Sequence, residues 1–74
     1  MTRLPVVTGP QLVNALKRVG FDIARIQGSH YIIKHVDGRM ISVPVHGQRE
    51  LRPGLLVRLL RDCRMSREEL QKLL

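Results

Sequence analysis

The 74-residue chain holds one cysteine, no tryptophan and only two aromatic residues, Phe21 and Tyr31. A lone Cys63 makes neither an internal disulfide nor a cysteine-based zinc centre. Two aromatics do not build the stacking platform on which many single-strand binders lay successive bases. Acids are scarce too: Asp22, Asp37, Glu50, Asp62, Glu68 and Glu69 are all there are. None forms a paired-carboxylate motif, which argues against a two-metal nuclease. No apolar run approaches the roughly 20 residues that span a bilayer, and Met1 to Pro10 lacks the apolar stretch of a secretory signal. The expectation is a cytoplasmic protein with no membrane association, no metal and no cofactor. A chain this short buries only about 60% of its unfolded surface, so it makes one small domain without a second lobe.

What the chain has in excess is arginine. Thirteen basic residues, ten of them Arg, face the six acids, for a formal net charge of +7. Such a balance expects a polyanion, most often nucleic acid, or a strongly acidic protein partner. Arginine in preference to lysine suits phosphate, because its planar fork binds two oxygens at once.

The pattern predicts an α+β domain. Thr8 with Gln11 forms a capping box, and Val7 with Leu12 a hydrophobic staple. Leu12, Ala15, Leu16 and Val19 follow on one apolar stripe, and Gly20 closes the helix. Phe21 to Gln27 and His30 to Val36 read as strands. Asp37-Gly38 reads as a two-residue hairpin turn, and Met40 to Val45 as a third strand whose Pro44 belongs at an edge or an end. Pro53 opens a second helix with Leu56, Leu59, Leu60 and Cys63 on one face, so Cys63 is core rather than nucleophile. Ser66 with Glu69 caps a short third helix, with Met65 and Leu70 as its staple. The order is α-β-β-β-α plus a short C-terminal helix: a three-stranded antiparallel sheet with helices packed on one face.

Candidate chemistry sits at the histidines. His30 follows Gly28-Ser29 at the mouth of the second strand, and His46 follows the third strand beside Gly47. A two-residue turn at Asp37-Gly38 pairs Val36 with Arg39, His30 with Val45 and His46 with Ser29. Two histidines then meet at one end of one hairpin, although the pleat points them to opposite faces. The plain alternative is a pair of turn histidines. The functional one is general acid–base catalysis, for which histidine is the suited side chain near neutral pH. With a basic surface and no metal cluster, the natural substrate is RNA, whose 2′-hydroxyl is a built-in nucleophile. His35 shares the parity of Tyr31 and Ile33 and reads as packed or solvated. Arg49, Arg52, Arg58 and Arg61, with the helix N-terminus at Pro53, make a candidate phosphate clamp, to which Ser29 adds a hydroxyl.

Gly28-Ser29-His30, Asp37-Gly38-Arg39, Val43-Pro44-Val45-His46-Gly47, Glu50-Leu51 with Pro53-Gly54, and Ser66-Arg67-Glu68-Glu69 together resemble the HicA toxin family, from about Gly9 onward. The resemblance implies a fold like the double-stranded-RNA-binding domain. It also implies an mRNA interferase activity, restraint by a HicB-like antitoxin, and an essential histidine at the position of His30. Leu55 departs from the pattern, which has a small or hydroxyl residue after Pro-Gly. Two other classes compete. One is a non-catalytic double-stranded-RNA-binding module of the same fold; the other is a DNA-binding helix-turn-helix built on Pro53 to Leu74, which leaves the hairpin without a role.

Overall fold

The computed structural model describes residues 2–74. Along the chain run α1 (Gly9–Lys17), β1 (Phe21–Gln27), β2 (His30–His35), β3 (Met40–Pro44), α2 (Pro53–Asp62) and α3 (Arg67–Lys72). The strands form one antiparallel sheet in the order β1-β2-β3. This is the α-β-β-β-α order expected from the sequence, with its short terminal helix.

Both capping boxes form. The Thr8 hydroxyl accepts from the Gln11 amide at 3.2 Å while the Gln11 side chain accepts from the Thr8 amide at 2.8 Å. Ser66 and Glu69 reciprocate in the same way at 3.1 and 3.0 Å. The staple residues Val7, Leu12, Met65 and Leu70 all lie in the core. One position departs from the expected stripe. After Lys17 the backbone tightens, with Arg18 donating to the Ala15 carbonyl and Val19 to that of Leu16. Bonds of this i→i−3 kind rotate the following residues off the α-helical register. Val19 is accordingly 39% exposed, and Val13 takes a buried place instead.

The sheet buries one face. Ile33 pairs with Ile23 and Ile41, Tyr31 with Val43, and Phe21 with His35, and directly paired residues share a face. Phe21, Ile33, Ile41 and Val43 join Leu12 and Leu16 of α1 and Leu56, Leu59 and Leu60 of α2 in one core. Cys63 is buried with them, its thiol directed at the Leu60 carbonyl and its pKa raised by burial, as befits packing rather than attack.

The β2–β3 hairpin differs from the two-residue turn expected at Asp37-Gly38. The His35 amide donates to the Arg39 carbonyl at 2.8 Å and the Gly38 amide to the His35 carbonyl at 3.0 Å, so three residues, Val36 to Gly38, form the loop. Gly38 supplies the left-handed backbone that such a loop ends on, at φ 100°. The local cause is Asp37: its carboxylate accepts from both the amide and the Nε of Arg39, at 3.0 and 2.8 Å. His35 completes the loop. Its Nδ1 accepts from the Asp37 amide at 3.1 Å and its Nε2 meets the Val19 carbonyl at 3.2 Å, which assigns the ring proton to Nε2. The ring also stands edge-on to Phe21 at 4.9 Å. Of the two roles open to it in the sequence, packed or solvated, His35 takes the packed one.

Arg39 ties this hairpin to α2 by donating to the Cys63 carbonyl, and it lies over the Phe21 ring with 5.0 Å to the centroid. The Arg39 amide, followed by its charge, holds the Asp37 carboxyl below the usual carboxylate range, and the Ser66 amide and hydroxyl do the same for Glu69. A depressed folded pKa contributes stability that is complete above the unfolded value and is lost as pH falls through the folded one. The urea midpoint is therefore expected to hold down to about pH 4–5 and to fall below it. Asp37→Asn combined with Glu69→Gln flattens that fall; an unaltered acid limb in the double variant would contradict the assignment.

At the C-terminus of α2 the Arg64 amide donates to the Arg61 carbonyl and the Met65 amide to that of Leu60, at 3.1 and 2.9 Å. This is the Schellman pair, with Met65 and Leu60 both buried beneath it. Its left-handed position, normally glycine, is Arg64 at φ 54°, the one non-glycine residue with positive φ among those described. Left-handed backbone costs an L-residue about 1–2 kcal/mol, partly offset because glycine loses more entropy on folding. Arg64→Gly is expected to stabilise the fold by about 0.5–1 kcal/mol, a rise of roughly 3–6 °C in thermal unfolding followed by circular dichroism. A lower Tm would show that the arginine contributes more through its contacts than its backbone costs.

Candidate active site

His30 opens β2 and is exposed. The Gly28-Ser29 turn delivers it, with Gly28 at φ 57° and open space where a side chain would stand, so the glycine is accounted for by its backbone. Ser29 is half-buried, and its carbonyl accepts from the Val45 amide at 2.6 Å.

The three-residue loop moves every β2–β3 pair by one from the expected register. His30 faces Pro44 instead of Val45, and Ser29 lies opposite Val45 instead of His46. The slip has a useful consequence. Side-chain period in a strand is two, so a one-residue shift exchanges faces. Pro44 now belongs to the uncovered face that carries His30. His46 lies two residues beyond the end of β3, in the turn that follows it, so the strand alternation that opposed the two histidines does not extend to it. Pro44 ends an edge strand, as its missing amide requires.

Pro44 also begins a cleft of about 220 Å³ that His46, Arg49, Glu50, Arg52 and Leu55 line with it. The segment after β3 forms its wall. Arg49 donates its amide to the His46 carbonyl at 3.0 Å, closing a turn through Gly47. The Leu51 amide donates to the Val7 carbonyl at 2.8 Å, and Thr8 bridges Glu50. Gly9 lets this seam close, since a Cβ there would stand 2.5 Å from the Pro44 carbonyl oxygen. Arg52 is the residue before the first turn of α2. The structure thus gathers His46, Arg49 and Arg52 into one cleft whose edge is the cross-strand partner of His30. It does not gather Arg58 and Arg61 there; both are exposed further along α2.

Two polar residues near His30 escaped the sequence pattern. A bulge at Ala24 shifts the β1 register between Ile23 and Arg25, so that Arg25 pairs with Ile32 and Gln27 with His30. Gln27 and Arg25 therefore share the uncovered face with His30. Bulges re-aim side chains in this manner, and alternation alone would have put Ala24 and Ile26 there. Nothing in residue types announces a one-residue bulge.

Charge around this end is largely uncompensated. Among the described residues the only ion pair between permanently charged side chains is that of Asp37 with Arg39. The described residues contain no group of three or more His, Cys, Asp or Glu arranged to hold a metal ion, and no helix is long and apolar enough to cross a membrane.

Residues 9–65, from the start of α1 to the buried Met65, match the family described as HicA toxin of bacterial toxin-antitoxin. The chain belongs to the HicA toxin family. No curated protein sequence matches it.

Proposed function

We propose that the protein is a metal-independent endoribonuclease, an mRNA interferase acting in the cytoplasm and neutralised by a HicB-like antitoxin. The observation that carries this reading is the juxtaposition of exposed His30 with Pro44 and, beyond Pro44, the cleft of His46, Arg49 and Arg52. A guanidinium pair in a cleft of this size suits one phosphate with its neighbouring ribose. His30 removes the proton of a 2′-hydroxyl, and O2′ attacks the adjacent phosphorus. The P–O5′ bond breaks, and His46 returns a proton to the leaving oxygen. Arg49 and Arg52 stabilise the charge that gathers on the phosphoryl oxygens. The products are a 2′,3′-cyclic phosphate and a 5′-hydroxyl. Arg58, Arg61 and Ser29 serve affinity, and Gln27, beside His30, orients the ribose.

The antitoxin covers this same end, acidic side chains against the arginines, because blocking RNA requires occupying the cationic face that binds it. The deciding experiment is a gel of purified protein with RNA and with DNA of matched sequence, each with and without EDTA. Cleavage of RNA alone, undiminished by EDTA, is expected. Activity lost to EDTA and restored by Mg²⁺ would remove the metal-free mechanism. RNA bound but uncut would identify instead a non-catalytic binding module.

A further inference from the structure

A second cleft, of about 260 Å³, lies at the other end of the sheet, where the β2–β3 hairpin meets the end of α2. Val19, Met65 and Leu73 give it an apolar floor, and Arg39, Arg64 and Lys72 a cationic rim. The carboxylate beside them, Glu69, is held in the Ser66 capping box. Arg39 is engaged with Asp37 and the Cys63 carbonyl, which leaves Arg64 and Lys72 as the rim cations with no hydrogen-bonded or ion-paired partner among the described residues.

Arg64 is the informative residue. It holds the left-handed position that glycine fills at lower cost, and among the described residues its guanidinium has no hydrogen-bonded or ion-paired partner. Backbone strain retained at a residue without a structural bond points to a use for the side chain. Its position adds direction. Arg52 lines the first cleft and Arg64 the second. Arg58, Arg61 and Arg64 follow one another at intervals of three along and beyond α2, interrupted by one acid, Asp62. At 1.5 Å per residue, Arg52 and Arg64 stand about 18 Å apart along the helix. A stacked strand advances roughly 3.4 Å per nucleotide, so about five nucleotides separate the two clefts.

We propose that the far cleft is a second nucleotide site for the RNA, in which Arg64 and Lys72 take a backbone phosphate and the Val19-Met65-Leu73 floor takes the base beside it. The proposal rests on the ribonuclease reading and extends it with a subsite that the active end does not contain. A long polyanion fits the series Arg52, Arg58, Arg61 and Arg64 better than a short acidic peptide does, because cations recur between one cleft and the other. Binding energy collected there holds substrates long enough to reach both ends and leaves shorter ones to the first cleft alone.

The test is fluorescence anisotropy with labelled 2′-O-methyl RNA, which has the phosphates and bases of a substrate but no attacking hydroxyl. Wild type should bind a 12-mer more tightly than a 4-mer. Arg64→Gly should weaken the 12-mer about 5–10-fold and lower the slope of log K against log salt by about 0.7, the value for one phosphate contact on a single strand. Arg64→Lys should keep the slope. Lys72→Gln, on a surface helix, should weaken the 12-mer in the same direction and tests the cleft independently of the backbone change that Arg64→Gly brings. Wild-type affinity and slope in both Arg64→Gly and Lys72→Gln overturn it. Retained RNA affinity together with weakened binding of a poly-glutamate peptide overturns it as well and gives the cleft to a protein. A wild-type protein that neither binds the 12-mer nor cuts RNA overturns the ribonuclease reading itself, which separates that failure from this one.

Discussion

Replacement of His30 by alanine is expected to abolish RNA cleavage and growth inhibition while leaving the fold intact. The side chain is exposed at the first residue of β2, outside the core cluster. Truncation there should cost stability no more than roughly 1 kcal/mol. Its chemical cost is of another order. A positioned general base contributes about 10²–10⁴-fold, and without it the 2′-hydroxyl has no acceptor for its proton. RNA should still bind, since the arginines of the adjacent cleft remain. The measurement pairs cleavage of a labelled transcript with thermal unfolding of the same preparation. A folded His30→Ala protein that cleaves like wild type sinks the assignment, and one that has lost its Tm says nothing against it. Arg49→Ala and Arg52→Ala offer a useful contrast: they should raise KM, lower kcat and reduce the salt dependence of binding, because they remove phosphate contacts along with stabilisation of charge in the transition state.

Much of this architecture was legible in the chain. Thr8 with Gln11 and Ser66 with Glu69 announce two helix starts by reciprocal hydrogen bonding that needs no tertiary partner, and both boxes form. Leu56, Leu59, Leu60 and Cys63 form a stripe because helical period is local geometry, and all four are buried. The end of α1 and the β2–β3 turn were less legible, for one shared reason. Each depends on which of several nearby hydrogen-bond acceptors a backbone amide chooses. Val19 left its stripe when the final turn tightened. The Asp37 carboxylate captured the Arg39 amide and lengthened the turn by one residue. That single residue decides which face Pro44 shares, and so that His30 stands across from the residue at the edge of the His46 cleft. Arg25 and Gln27 reached the face of His30 only through the Ala24 bulge. Residue types pointed to His30, His46, Arg49 and Arg52; that His30 faces Pro44, at the edge of the cleft of the other three, is a matter of register, which a pattern of types does not carry. Arg39 shows the converse. Counted as one of thirteen basic residues, it is spent on Asp37 and Cys63 inside the fold.

The corrected register sharpens the expectation for His46. Its cleft starts at Pro44, the residue paired with His30, so under the proposed mechanism a phosphodiester bridging the two positions would have a base on one side and an acid on the other. His46→Ala is expected to lower kcat by about 10²–10⁴-fold if His46 protonates the leaving 5′-oxygen. A turn-shaping role would give a far smaller loss, because the turn itself is held by the Arg49 amide on the His46 carbonyl and by Gly47, neither of which the substitution removes. The pH–rate profile separates the two. A base and an acid acting together give a bell with two limbs, and removal of the acid leaves one. An unchanged bell in His46→Ala would transfer the acid role to another group of the cleft, of which Glu50 is the available carboxylate, and Glu50→Gln would then remove the limb. The substrate supplies an independent check. One 2′-deoxy nucleotide on the 5′ side of the cut deletes the nucleophile, and cleavage at that bond should stop while neighbouring bonds remain susceptible. Continued cleavage there means that water, not the 2′-hydroxyl, attacks phosphorus, and His30 and His46 would then serve a hydrolysis without a cyclic intermediate.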